Sequence, residues 1–239
     1  MLIRERLATF NPIFGRCSTH FIENGPVFIN DASKAPYHSI YLAINMLANF
    51  SAPRRRIVIG HIADYAGGPR SKYRDVYRAS RLVADQVIFV GDNSHRSMAT
   101  AEDIAAGRFV EKRSVEEAAI FVRDTAIPGE IILLKSSRSL HLERILLSFE
   151  DEVRCWEPGC GRKLSCVRCG SYAIPWPQQV EIDREKKKQR RLKPSRWEGL
   201  LVRGLSGIER SAADAADVTQ AALRTGTDSS ESTNPAVDR

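Results

Sequence analysis

With 239 residues, of which 43% are hydrophobic, the chain has room for one α/β domain of ordinary size plus appendages. No apolar run approaches the roughly 20 residues needed to cross a bilayer, and Met1-Leu-Ile-Arg-Glu-Arg-Leu7 lacks the apolar core and cleavage site of a signal peptide, so a cytoplasmic protein is the expectation. The net charge of +7 is local: residues 184–196 carry eight cations and one anion, +7 by themselves, which leaves the rest of the chain close to neutral.

In chain order, residues 1–24 form a leading segment in which Pro12 and Gly15 mark a turn. A regular alternation then begins. Strands are predicted at residues 26–31, 56–60, 85–91, 108–111 and 131–134, and helices at 39–50, 71–84, 100–106, 114–125 and from Leu142 to Phe149. Ser114-Val-Glu-Glu117 reads as a capping box opening the fourth helix. Strands alternating with helices of ten to fifteen residues imply βαβ units and a mostly parallel sheet covered on both faces. The fold class is therefore α/β, a Rossmann-like doubly wound domain over about residues 25–150. After it come a Cys-rich appendage at 151–177, a basic linker at 178–208 and a tail at 209–239, poor in large apolar groups and expected to be disordered.

The period changes from strand to helix across Lys135-Ser-Ser-Arg-Ser139, which makes this a strand-to-helix loop at the carboxyl edge of a parallel sheet, where ligands bind. Read locally, it is either an anion site backed by a helix N-terminus or a helix capped by Ser139 with two solvated cations. Other polar loops fall at strand ends: Asn30 to Lys34, His61 with Asp64, and Asp92-Asn-Ser94. Asp31 together with Lys34, Lys135 and Arg138 suits a polyanionic or zwitterionic ligand, the carboxylate taking an ammonium or ribose hydroxyl and the cations a carboxylate or phosphate. The chain has no G-x-x-x-x-G-K-(S/T) loop, no G-x-G-x-x-G after its first strand and no G-x-S-x-G elbow, and its five histidines show no paired metal spacing.

Cys155, Cys160, Cys166 and Cys169 fall within fifteen residues. In a reducing compartment such a cluster reads as a metal site, here a closed structural zinc knuckle; the alternative is exposed or redox-active thiols. A knuckle beside a basic arm also describes a non-catalytic adaptor that binds nucleic acid or protein through residues 184–196, although no aromatic residue is interleaved with those cations.

Three stretches carry a more specific signal: Phe10-Asn-Pro-Ile-Phe-Gly-Arg16, Ile29-Asn-Asp-Ala-Ser-Lys-Ala-Pro-Tyr-His-Ser39, and Gly129-Glu-Ile-Ile-Leu-Leu-Lys-Ser-Ser-Arg-Ser-Leu-His-Leu-Glu-Arg144. Their order and spacing resemble the C-terminal domain of the Mur ligases over about residues 8–150, most of all the branch that adds D-alanyl-D-alanine to a UDP-N-acetylmuramoyl-tripeptide in cell-wall (peptidoglycan) synthesis. The resemblance implies a part in ATP-dependent amide ligation through an acyl phosphate. It implies nucleotide contacts from Arg16 and Asp31, and amino-acid or dipeptide contacts from the loop of Lys135, Ser137 and Arg138, with Lys34 beside it. Ser33, Lys34, Pro36, Tyr37 and Ser136 depart from the family pattern, which has Tyr, Asn, Asn, Pro and Gly at those places. The family's P-loop and magnesium ligands lie in a central ATPase domain, so this chain is expected to be inactive alone and to need such a domain as its partner.

Overall fold

The computed structural model describes residue 9 and residues 12–192. Its centre is a six-stranded sheet built from β1 (Ser18–Phe21), β2 (Val27–Asp31), β3 (Arg55–Ile59), β4 (Gln86–Val90), β5 (Phe109–Lys112) and β6 (Ile131–Lys135), in the order β1-β2-β6-β3-β4-β5. Every neighbouring pair is parallel except β1 with β2. The helices are α1 (Tyr37–Ala48), α2 (Pro69–Arg81), α3 (Ala101–Ala105), α4 (Val115–Thr125), α5 (Arg144–Glu150), α6 (Cys166–Cys169) and α7 (Trp176–Leu192).

Alternate residues of each strand face opposite sides of the sheet. Ile29, Ile57, Ile59, Val87, Phe89 and Leu133 pack with Ile40, Ile44 and Leu47 of α1 and with Tyr73, Val76 and Tyr77 of α2. The intervening Phe28, Val58, Ile88, Ile132 and Leu134 pack with Val115, Ala118 and Val122 of α4 and with Ile145 and Leu146 of α5. β6 lies between β2 and β3 with both faces covered, which is why Ile131 to Leu134 is an unbroken apolar run. Below it, Glu130 is fully buried and pairs with Arg54 at 2.5 Å and with the equally buried Arg56.

Four local features differ from the sequence reading. The leading segment contains β1, an antiparallel edge strand of four residues. Helix α2 starts two residues early because Pro69 occupies its first turn, where a missing N–H is harmless. In the α4 capping box, Ser114 Oγ accepts from Glu117 N at 3.1 Å as expected, whereas the Glu117 carboxylate takes the N–H of Arg113 at 3.0 Å instead of that of Ser114. The Lys135–Ser139 loop runs into a 3₁₀ turn (Arg138–Leu140) and a left-handed His141 (φ 53°), so α5 begins only at Arg144 and its N-terminus is not the one facing the loop.

Among the described residues, those up to Glu181 cluster into one compact unit, and Ile182–Leu192, the end of α7, fall outside it. The first part of the stretch read as a basic linker is helical in α7; residues 193–196 of the basic run and the tail at 209–239 lie outside the described residues. Among the described residues no helix is long and apolar enough to cross a membrane.

Candidate functional site

Parallel pairing sets Asp31, the last residue of β2, directly beside Lys135, the last residue of β6, with Ile59 of β3 on the other side. The Lys135 ammonium donates to the Asp31 carboxylate and to the Lys34 carbonyl at 3.0 Å, and both members of the ion pair are buried. Two residues read as separate ligand contacts thus hold each other. Cys17 adjoins this pair; burial first, then the Asp31 carboxylate, push its thiol up from the ordinary value.

Beyond Lys135 the loop is pinned to the end of β3. Ser136 Oγ accepts from His61 N at 3.0 Å and donates to Ser137 O at 2.9 Å, while Ser137 N donates to His61 O at 2.8 Å. Gly60 makes this approach possible: a Cβ there would lie 2.5 Å from Ser136 Oγ and 2.7 Å from Leu140 Cδ2. The hydroxyls of Ser137 and Ser139 lie 3.1 and 3.2 Å from His61 Nδ1 and 2.8 Å from each other. Arg138 turns away from this cluster and donates to Lys163 O at 2.6 Å; its Nε is buried with no protein partner.

The leading segment joins the same edge. Gly15, at φ +78°, packs so closely on the β2–α1 loop that a Cβ would meet Ser33 Oγ at 2.3 Å, and Gly15 O accepts from Ser33 N at 3.1 Å. Arg16, next in sequence, is exposed.

A cavity of about 490 Å³ opens at this edge. Ser33, Lys34, Arg138, Ser139 and His141 line one side, and Gly159, Gly161, Arg162 and Lys163 of the Cys-rich segment line the other. Four of these residues are Lys or Arg and none is acidic. Lys34, Arg138 and Ser33 therefore meet here, while Asp31 and Lys135 lie behind them as a neutralised pair. His61, Asp92 and Asn93 line a second cavity of about 190 Å³, so the polar loops at the strand ends divide between two cavities.

The four clustered cysteines are free thiols lining one small cavity of about 10 Å³, together with His141, Arg144 and Arg162. Arg144, buried at the start of α5, donates from Nε to Cys166 Sγ at 3.2 Å, from Nη2 to Cys155 Sγ at 3.6 Å and from Nη1 to Glu157 O at 2.8 Å. Arg162 Nη1 donates to Cys169 Sγ at 3.0 Å. The His141 ring lies 3.2 Å from Cys160 Sγ through Nε2 and 3.5 Å from Cys166 Sγ through Nδ1. Glu143 accepts from Cys166 N at 3.1 Å, and the donor atoms of His141, Glu143 and Cys166 lie within 4.8 Å of one another. Burial, then the neighbouring Glu143, push the Cys166 thiol up to about 12. His141 is the residue of this cluster that sequence reasoning missed, because it stands fourteen residues before Cys155 with no second histidine at ligand spacing.

The family model described as the Mur ligase, glutamate ligase domain matches residues 15–138, a little over half of the chain. This chain belongs to the Mur ligase family. The match begins at the Gly15–Ser33 contact and ends at Arg138, so it takes in Ser33, Lys34 and Arg138 of one wall of the large cavity and leaves out Ser139, His141 and the Cys-rich wall. Among solved structures similar to the chain, MurF from Acinetobacter baumannii is 18% identical with a TM-score of 0.52, over 62% of this chain and 33% of that one. The UDP-N-acetylmuramoylalanyl-D-glutamyl-2,6-diaminopimelate–D-alanyl-D-alanyl ligase from the same organism is 19% identical with a TM-score of 0.50, over 62% and 31%. The likeness is one of fold, and the chain spans about a third of the length of these Mur ligases. No curated protein matches it significantly.

Proposed function

We propose that this chain is the substrate-positioning, C-terminal module of an ATP-dependent amide ligation on a peptidoglycan precursor, working with a partner that supplies the ATPase domain. The observation that carries the reading is the cavity of about 490 Å³ at the carboxyl edge of β2 and β6, lined by Lys34, Arg138, Arg162 and Lys163 without a single carboxylate. Ligands of doubly wound sheets bind at this edge. Lined by Lys and Arg side chains, the cavity suits the carboxylate of an incoming amino acid or dipeptide, and a guanidinium such as that of Arg138 can take a carboxylate through two parallel N–H groups. Holding that carboxylate leaves the amine of the same molecule free to point out of the cavity towards an activated acyl group, which is the positioning that amide formation needs.

Nucleotide contact from this chain falls to Arg16, which is exposed beside the Gly15–Ser33 contact, and to Asp31, whose carboxylate Lys135 already engages. These two do not amount to a phosphate cradle, so ATP and its metal belong on the partner, where they supply the activation of the acyl group. Family membership supports the same division.

The test combines affinity capture of the tagged full chain with calorimetry. Capture should bring down a P-loop ATPase, and D-amino acids or D-alanyl-D-alanine should bind the chain alone. Absence of both the partner and the binding overturns the reading.

A further inference from the structure

We infer that His141, Glu143 and Cys166 hold one zinc ion, and that this ion ties the Cys-rich segment to the turn that follows β6. The inference goes beyond the ligase reading and stands whatever the large cavity binds. Among the described residues these three form the group whose donor atoms converge, all within 4.8 Å of one another, and all three are buried. The four sulfurs do not converge in this way, because the His141 ring stands between Cys160 Sγ, on its Nε2 side, and Cys166 Sγ, on its Nδ1 side.

The spacing fits an ion better than it fits a hydrogen bond. His141 Nδ1 lies 3.4 Å from Glu143 Oε1 and 3.5 Å from Cys166 Sγ. A ring N–H donating to the carboxylate would sit at about 2.7–3.2 Å. On a tetrahedral zinc, bonds of about 2.0–2.2 Å to N and O and about 2.3 Å to S set neighbouring N and O ligands about 3.3–3.5 Å apart and N and S ligands about 3.5–3.6 Å apart. The carboxylate gives an independent sign. Glu143 is 2% exposed; its Oε1 accepts from Cys166 N at 3.1 Å, while its Oε2 is buried with no protein partner. A bare buried carboxylate oxygen is costly, and a cation beside it removes that cost.

His141 Nδ1 faces both other donors and is therefore the ligating nitrogen. That leaves Nε2–H to donate to Cys160 Sγ at 3.2 Å, which fixes the tautomer. Arg144 Nε donates to Cys166 Sγ at 3.2 Å, the outer contact that a metal-bound thiolate takes. One thiolate, one carboxylate and a neutral imidazole balance a divalent ion, and the sulfur and nitrogen donors favour zinc over magnesium or calcium. The fourth position falls to a water, and the cavity of about 10 Å³ beside His141 and Cys166 has room for no more than about one. His141 and Glu143 lie just before α5, whereas Cys166 opens α6. The chain between them carries Gly159, Gly161, Arg162 and Lys163 of the large cavity, so the ion steadies that wall.

The wild-type full chain purified without chelator should hold about one zinc. Stripped with chelator and titrated with cobalt(II), it should saturate at about one equivalent, with thiolate-to-cobalt absorption of the strength of one sulfur ligand. His141→Ala, Glu143→Gln and Cys166→Ser should lose the ion. Cys155→Ser and Cys169→Ser should bind it as the wild type does, and Cys160→Ser about 10- to 100-fold more weakly. Because Glu143→Gln or Cys166→Ser can misfold, circular dichroism accompanies each variant and the wild-type cobalt spectrum is the deciding measurement. The inference is overturned if the wild-type chain binds neither metal or if its cobalt absorption has the strength of several sulfurs. It is equally overturned if a folded His141→Ala or Glu143→Gln chain binds as tightly as wild type, or if Cys155→Ser or Cys169→Ser abolishes binding in a folded chain.

Discussion

Replacing Lys135 by Met should destabilise the protein far more than removal of an exposed lysine would. The Lys135 side chain is 4% exposed and the Asp31 side chain 10%, and the register of β2 on β6 holds them side by side. Met fills the space of the aliphatic stem but leaves the carboxylate buried without its cation. Breaking a buried pair in this way costs about 3–5 kcal/mol, and the partial exposure of Asp31 places this case near the lower end, about 3 kcal/mol. For a domain of this size that lowers Tm by about 6–12 °C. Thermal and urea denaturation followed by far-ultraviolet circular dichroism measure the change. The double variant Asp31→Leu/Lys135→Met removes both charges together and should recover at least about half of the loss. A single variant within about 1 kcal/mol of wild type, or a double variant as unstable as the sum of the singles, would refute the pairing and return Lys135 to the list of ligand contacts.

Three further outcomes follow from other buried contacts. Glu130→Ala leaves Arg56, fully buried, with only Thr125 Oγ1 at 2.9 Å and Val122 O at 3.4 Å, so a loss of about 3–5 kcal/mol is expected in urea denaturation. Gly60→Ala drives a Cβ into Ser136 and Leu140 and should cost about 1–3 kcal/mol, partly restored by adding Ser136→Gly. Asp103 accepts from the Tyr77 hydroxyl and from Arg108 and Arg81, each at 2.7 Å, and these contacts, Tyr77 foremost, hold its carboxyl well below the ordinary carboxylate range against the opposing effect of burial. A depressed folded-state pKa stabilises the protein above the unfolded value near 4 and is lost as the pH falls below it. Asp103→Asn should accordingly flatten the fall in Tm between about pH 5 and pH 3, measured by melting at stepped pH.

Most of the sheet was legible because both of its faces are covered: the apolar runs that become β2, β3, β4 and β6 leave little choice but parallel strands alternating with amphipathic helices. β1 was not, since Ser18-Thr-His-Phe21 has no apolar alternation and exposes Phe21 to 78% at the edge of the sheet. The basic stretch reads as a linker by its charge, yet Lys, Arg, Glu and Gln are all good helix formers, and α7 runs into it as far as Leu192. At the site, residue type was readable and pairing was not. Asp31 and Lys135 are 104 positions apart and meet only through strand register, which turns two apparent ligand groups into one internal salt bridge. His141 joins the cysteines only because a left-handed turn after the 3₁₀ segment swings it there.

That pairing also bears on which cations line the large cavity. With Lys135 neutralised, Lys34 and Arg138 supply the charge on the wall within the family match, and Arg162 and Lys163 supply it on the wall outside that match. Lys163 separates the two contributions cleanly, because it anchors Arg138 through its backbone carbonyl and not through its side chain. Lys163→Glu therefore keeps the Arg138 anchor while reversing one charge at the cavity. Even at the dielectric of bulk water, such a reversal at about 4–8 Å from a bound carboxylate changes the interaction by about 1–2 kcal/mol, which is roughly five- to thirty-fold in Kd. Calorimetry with D-alanyl-D-alanine reads this directly, and the loss should shrink as salt is added. Unchanged affinity in Lys163→Glu would mean that the Cys-rich wall takes no part in holding the ligand, and that the family-matched wall alone sets what this cavity accepts.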